Sequence, residues 1–184
     1  MARVPYGDLE ALAPEVRAQV RMFGDLNIDR MLAQARTVVG PLHETTRSIL
    51  AESTLDPRLR ELVILLVAHS GRCAYEAVQH EVSARAVGVT QAQLDALEAD
   101  DPSAAVFTDA EKAVLRLVAA ALHDSADVPE ETFDRAHDHL GDRGTVELMI
   151  LVALYSGMAI LLNTLQVDID ATARMRFAPN GNGH

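Results

Sequence analysis

ELVILLVAHSGRCAYEAVQH, residues 61–80, decides the fold. A carboxylate, Glu61, opens a nearly uniform apolar run from Leu62 to Ala68, and Ser70-Gly71 breaks it. After the break, Cys73, Glu76 and His80 follow at spacings of three and four. On an α-helix those three side chains share one face. Ala77, Ala84 and Val87 fall on the same face, so it points inward. A thiol, a carboxylate and an imidazole are costly to bury unless partnered. The three are either a site or a satisfied polar knot in the core.

Outward from this stretch, the composition narrows the classes. With 184 residues, one domain with a real core is the default. Hydrophobic residues make up 49% and aromatics 4%, an Ala/Leu/Val interior that favours helices over sheets. The net charge of −11 argues against a nucleic-acid partner and against an anionic membrane surface. A single cysteine excludes an intramolecular disulfide and a cysteine-based zinc site. Lys112 is the only lysine and sits off the apolar face of its segment, so Schiff-base and pyridoxal-phosphate chemistry are disfavoured. No glycine-rich nucleotide loop is present. The start, MARVPYGDLE, has no apolar signal core, and a cytoplasmic location is expected. Leu148 to Leu162 is uncharged but short of the roughly 20 residues a bilayer needs, and Ser156-Gly157 interrupts it, so it reads as a buried helix pair.

Punctuation along the chain predicts helices throughout. Pro14 opens one to about residue 22, and Phe23-Gly24 ends it. Asn27 or Asp29 caps the next, about 28–38, which Gly40-Pro41 breaks before a helix over about 42–52. Asp56-Pro57 starts the helix holding Glu61, and a helix over 73–87 follows the Ser70-Gly71 break. Thr90 with Gln93 and Thr108 with Glu111 read as capping boxes for helices over 91–99 and to about 123. Pro129 opens a helix to about 140, and Asp142 or Thr145 starts the last, to about 167. No stretch alternates with period two. The expected organisation is an N-terminal segment, 1–26, that could serve as a lid, an all-α domain over 27–177, and a disordered tail over 178–184.

The chain also echoes itself. ELVILLVAHSG (61–71) and ELMILVALYSG (147–157) agree at Glu, Leu, Ile, Leu, Ser and Gly. Each copy reads as a helix, a Ser-Gly break and a second helix. Where the first copy has Cys73, Glu76 and His80, the second has Ala159, Leu162 and Gln166. One copy carries polar chemistry and the other carries packing, which favours a site in the first.

These residues resemble the signature of the carboxymuconolactone decarboxylase / alkylhydroperoxidase D superfamily. The peroxidase branch has a glutamate, eleven residues, Cys-x-x-Cys, three residues and a histidine; Glu61, Cys73 and His80 match, and Glu76 replaces the second cysteine. The YEAVQH run is similar to the decarboxylase-like form, and DPRLRELVILLVA and ARAVGVT fit as well. The resemblance implies an all-α bundle built around two related helix pairs, assembled as a homo-oligomer, trimer or hexamer. The apolar 148–162 segment agrees, having more surface to bury than a small monomer offers.

Two chemistries and one non-catalytic role remain open on these residues. In the first, Glu76 and His80, one turn apart, hydrogen-bond to each other, and Glu61 joins as the family's relay glutamate. That set suits cofactor-independent acid/base chemistry beside a carbonyl: a decarboxylase, or a lactone or enol isomerase, acting on a small carboxylated or lactone substrate. His80 is then the general acid/base. An anionic substrate needs a cation, and Arg72 and Arg30 are the candidates. In the second, Cys73 near a helix N-terminus acts as a thiol-dependent hydroperoxide reductase, although Glu76 cannot resolve it as a disulfide. The third is a small-ligand-binding homo-oligomer without turnover. No metal and no cofactor is expected; Glu76 and His80 offer two ligands and only Glu61 a third.

Overall fold

The computed structural model describes residues 1–171, so the expected tail over 178–184 and the end of the expected 27–177 domain lie outside the described residues. All regular structure among the described residues is helical. After a short turn at Leu9–Ala11 come α1 (Pro14–Phe23), α2 (Asn27–Leu32), α3 (Val39–Ala51), α4 (Pro57–Ser70), α5 (Ala74–Ala86), α6 (Gln91–Glu98), α7 (Asp109–His123) and α8 (Glu130–Leu165).

The starts obey local chemistry. Asp56 accepts from the amides of Arg58 and Leu59 ahead of Pro57, and both expected capping boxes form, at Thr90/Gln93 and Thr108/Glu111. Every residue from Arg60 to Ala68 is buried. α4 is therefore the axis of the bundle, packed against α5, α6, α7 and α8. The main core joins its leucines and valines to Leu115 and Val118 of α7 and to Leu148, Leu151 and Tyr155 of α8. A smaller core, with Leu12, Val20, Leu32 and Val39, ties the N-terminal segment to α2 and α3. Residues 1–7 also strap across the ends of α8 and α2: the Arg3 amide donates to the Leu165 carbonyl and the Gly7 amide to the Arg30 carbonyl, both at 2.8 Å.

Three expected boundaries move. α2 ends at Leu32, and the next residues close three-residue turns, with Ala35 bonded to Leu32 and Val38 to Ala35. Gly40-Pro41 is no break; it lies in the first turn of α3, where proline lacks no needed donor. Ser156-Gly157 is no break either. α8 runs through it, because the inward stripe Leu148, Leu151, Val152, Tyr155, Ala159 and Leu162 outweighs the roughly 1 kcal/mol penalty of a helical glycine. The chain bends instead at Gly141, whose left-handed φ of 64° favours glycine. The sequence echo of residues 61–71 thus lies within one helix, not a second helix pair. By length and composition α8 could cross a bilayer, but here its inward stripe packs into the core.

Candidate active site

The turn between α4 and α5 places the signature residues. The Cys73 amide donates to the Ala68 carbonyl at 2.8 Å and the Arg72 amide to the His69 carbonyl at 2.9 Å, closing a Schellman turn. The left-handed residue is Arg72, at φ 49°. Gly71 is needed for a different reason: a Cβ there would stand 3.1 Å from the Val67 carbonyl oxygen and 3.3 Å from Cβ of Ala159. This close approach to α8 seats the start of α5 against the core.

From α5, His80 reaches Glu61 on α4. Nδ1 of His80 lies 2.8 Å from Oε2 of Glu61, and both side chains are 3% exposed. A carboxylate partner holds the proton on Nδ1 and leaves the lone pair on Nε2. Tyr155 of α8 packs on the imidazole edge-to-face at 5.0 Å. Arg60 backs the pair, its Nε 3.7 Å from Oε1 of Glu61, while its Nη1 donates to the Leu50 carbonyl at 2.6 Å. The spacing of three and four residues put Glu76 in hydrogen-bonding reach of His80; the bond forms with Glu61 instead. Helix packing brings a residue nineteen positions away closer to Nδ1 than a residue one turn away.

Glu76 is left in a different state. It is buried, its Oε2 has no hydrogen-bond partner among the described residues, and burial pushes its carboxyl up to about 8. At neutral pH it is predominantly a neutral acid, a donor rather than a base. Burial also raises the Tyr155 phenol, with Glu61 and Glu76 adding to the effect, so it stays protonated.

These groups border a cavity of about 80 Å³ between α2, α3, α5 and α8. Leu26, Ile28, Leu32, Leu42, Met158 and Leu162 make it largely apolar, with Glu76, Gln79, His80, Tyr75 and Tyr155 on its walls. A second buried imidazole–carboxylate pair also borders it: Nε2 of His43 on α3 lies 3.2 Å from Oδ1 of Asp29 on α2. Sequence reading saw Asp29 only as a cap, which it also is, accepting from the Leu26 amide at 2.8 Å. His43 carried no periodic signal; only its burial in the fold identifies it. Among the described side chains of residues 1–26, Leu26 is the one that borders the cavity.

The remaining expected site residues lie elsewhere. Cys73 is buried in a cluster with Met31, Tyr75, Ala159 and Leu162 and is not part of the cavity wall. Burial raises its thiol to about 11, overriding the amides of Glu76 and Tyr75 that bond to it. Arg72 and Arg30 are both exposed and border no part of the cavity. Arg30 points out because its neighbour Asp29 takes the inward position on so short a helix. The arginine near the site is Arg60, behind Glu61. Among the described residues, no three His, Cys, Asp or Glu side chains are grouped to hold a metal ion.

Comparison with known proteins agrees with this architecture. Residues 42–120 match the model of the carboxymuconolactone decarboxylase family. No curated protein matches the chain. Among solved structures, an uncharacterized peroxidase-related protein from Ralstonia eutropha JMP134 with an alkylhydroperoxidase AhpD core superposes with a TM-score of 0.82 at 18% identity, over 92% of this chain and 93% of that one. A peroxidase-related protein from Silicibacter sp. TM1040 gives 0.79 at 16% identity, over 92% of each chain. A cysteine-to-alanine variant of the debrominase Bmp8, in complex with 2,3,4-tribromopyrrole, gives 0.75 at 16% identity, over 94% of this chain and 92% of that one. At these identities the likeness is one of fold.

Proposed function

We propose that this chain is a member of the carboxymuconolactone decarboxylase / alkylhydroperoxidase D-like superfamily, a reading supported by the match over residues 42–120 and by the shared fold, and that it is a cofactor-independent acid/base enzyme acting beside a carbonyl of a small substrate. The observation that carries this reading is the buried His80–Glu61 pair, 2.8 Å apart, on the wall of an apolar cavity shared with a protonated Glu76. Glu61 holds the imidazole tautomer. Nε2 of His80 removes a proton from the carbon next to the carbonyl, the electrons move onto the carbonyl oxygen, and the neutral Glu76 carboxyl donates a hydrogen bond to that oxygen. His80 then returns the proton at the far end of the conjugated system. The net change is an isomerisation of a lactone or enol.

Decarboxylation of a carboxylated substrate is less well supported, since no lysine or arginine borders the cavity among the described residues. The thiol-peroxidase reading is weaker still: the Cys73 thiol is held protonated, away from the cavity, with no second thiol. Conversion of a β,γ-unsaturated butenolide to its conjugated isomer, followed by absorbance, tests the proposal. His80→Ala and Glu61→Gln should both abolish it; conversion that survives both variants would refute it.

We also propose that a second copy covers the outer face of α8, giving a homo-oligomer. Val146, Ile150 and Ile160 are exposed there, with Ala153 and Gly157 between them, a run of alternating four- and three-residue spacings that suits helix-to-helix packing.

A further inference from the structure

The two residues of α5 that border the cavity one turn apart, Glu76 and Gln79, have complementary unmet needs. Oε2 of Glu76 and Oε1 of Gln79 are both buried without a hydrogen-bond partner among the described residues. Glu76 and Gln79 are 5% and 2% exposed. The orientation of Gln79 is set by Asp170: its Nε2 donates to Oδ2 of Asp170 at 3.3 Å, which turns the amide oxygen the other way. Asp170 is itself fixed, accepting from the Tyr75 hydroxyl at 2.5 Å and from the Asn27 amide at 2.9 Å. Gln79 therefore turns its amide oxygen, an acceptor, away from Asp170. Glu76, as a neutral acid, offers a donor. Residues three apart on a helix are neighbours, so donor and acceptor stand side by side.

We propose that this pair recognises a cyclic secondary amide, a lactam whose carbonyl accepts from Glu76 while its N–H donates to Gln79. Such a group is planar and uncharged, and it presents an acceptor and a donor on adjacent atoms. A carboxylate would set its oxygens against the Gln79 oxygen; a lactone or an N-alkylated lactam would leave Gln79 unpaired. A five-membered ring suits a cavity of about 80 Å³. This adds a more tightly held ligand class to the lactone of the proposed isomerisation and rests on the reading of Glu76 as the neutral acid of that site.

The test is binding of γ-butyrolactam, its N-methyl derivative, γ-butyrolactone and butyrate to the full-length protein in mildly acidic buffer, by ligand-observed NMR titration. γ-Butyrolactam should bind at least about tenfold more tightly than the N-methyl derivative and the lactone, because the latter two leave a buried acceptor unsatisfied. Butyrate should not compete. Gln79→Leu should erase the preference for the lactam, and Glu76→Gln, which keeps an N–H donor and the same size, should retain it. Equal binding of lactam and N-methyl lactam, tighter binding of butyrate, or no saturable lactam binding would overturn the proposal. Butenolide isomerisation separates the two levels: if it persists and depends on His80 while lactam preference is absent, only this recognition fails; if both are absent, the acid/base reading fails with it.

Discussion

Replacing Glu76 by glutamine should stabilise the protein, by an amount that grows with pH. The folded carboxyl titrates near 8, against an ordinary value of 4.5. An acid whose folded value is raised opposes folding once the unfolded chain can ionise it. The sign is the reverse of a salt-bridged carboxylate: the penalty is absent below the unfolded value, grows as pH rises towards 8, and is constant above it. Each unit of difference is worth about 1.4 kcal/mol, so the penalty is about 1 kcal/mol at pH 5, about 3 at pH 7 and about 5 at pH 9. Glutamine has the same shape and cannot ionise. All other groups titrate alike in both proteins, so they cancel in the difference. Urea unfolding of wild type and Glu76→Gln, followed by circular dichroism at fixed protein concentration, reads the quantity directly. A difference that is flat from pH 5 to pH 9, or a variant less stable than wild type at pH 9, would refute the burial of an unpaired carboxyl on which the site is built.

Three other outcomes follow from single contacts. Gly71→Ala should cost about 1–3 kcal/mol of stability in thermal or urea unfolding, since its methyl would press on Ala159 and the Val67 carbonyl. Hydrogen peroxide should leave the intact mass of the native protein unchanged over minutes at pH 7, because a thiol near 11 is about one part in ten thousand thiolate; a rapid, stoichiometric oxygen addition absent in Cys73→Ser would contradict this. Ile160→Glu, at a position 69% exposed in the single chain, should shift the mass measured by light scattering towards the monomer while leaving helicity intact.

Much of this was legible in the sequence because it is local. A carboxylate, an apolar run, a Ser-Gly stop and residues at 73, 76 and 80 specify two helices and one inward face, and both form at the expected places. Pairing across helices was not legible. Spacing matched Glu76 with His80, but only packing of α5 on α4 shows that Glu61 takes Nδ1 and that Glu76 is stranded as a neutral acid. Asp29 and His43 lie on different helices joined by irregular turns, so no period links them. Ser156-Gly157 read as a stop because its residues match Ser70-Gly71, yet its flanking stripe is buried and holds the helix together. The break at 71 comes from the left-handed Arg72 that follows, a backbone fact that residue identity alone does not reveal.

The most direct test of the central claim compares His80→Ala with Cys73→Ser. Both, with wild type, would be incubated with a β,γ-unsaturated butenolide in deuterium oxide, and incorporation of deuterium into the ring followed by NMR. Cys73→Ser should stay within about twofold of wild type, and His80→Ala should fall by about a hundredfold or more. Exchange retained by His80→Ala and lost in Cys73→Ser would contradict it and assign the chemistry to the thiol.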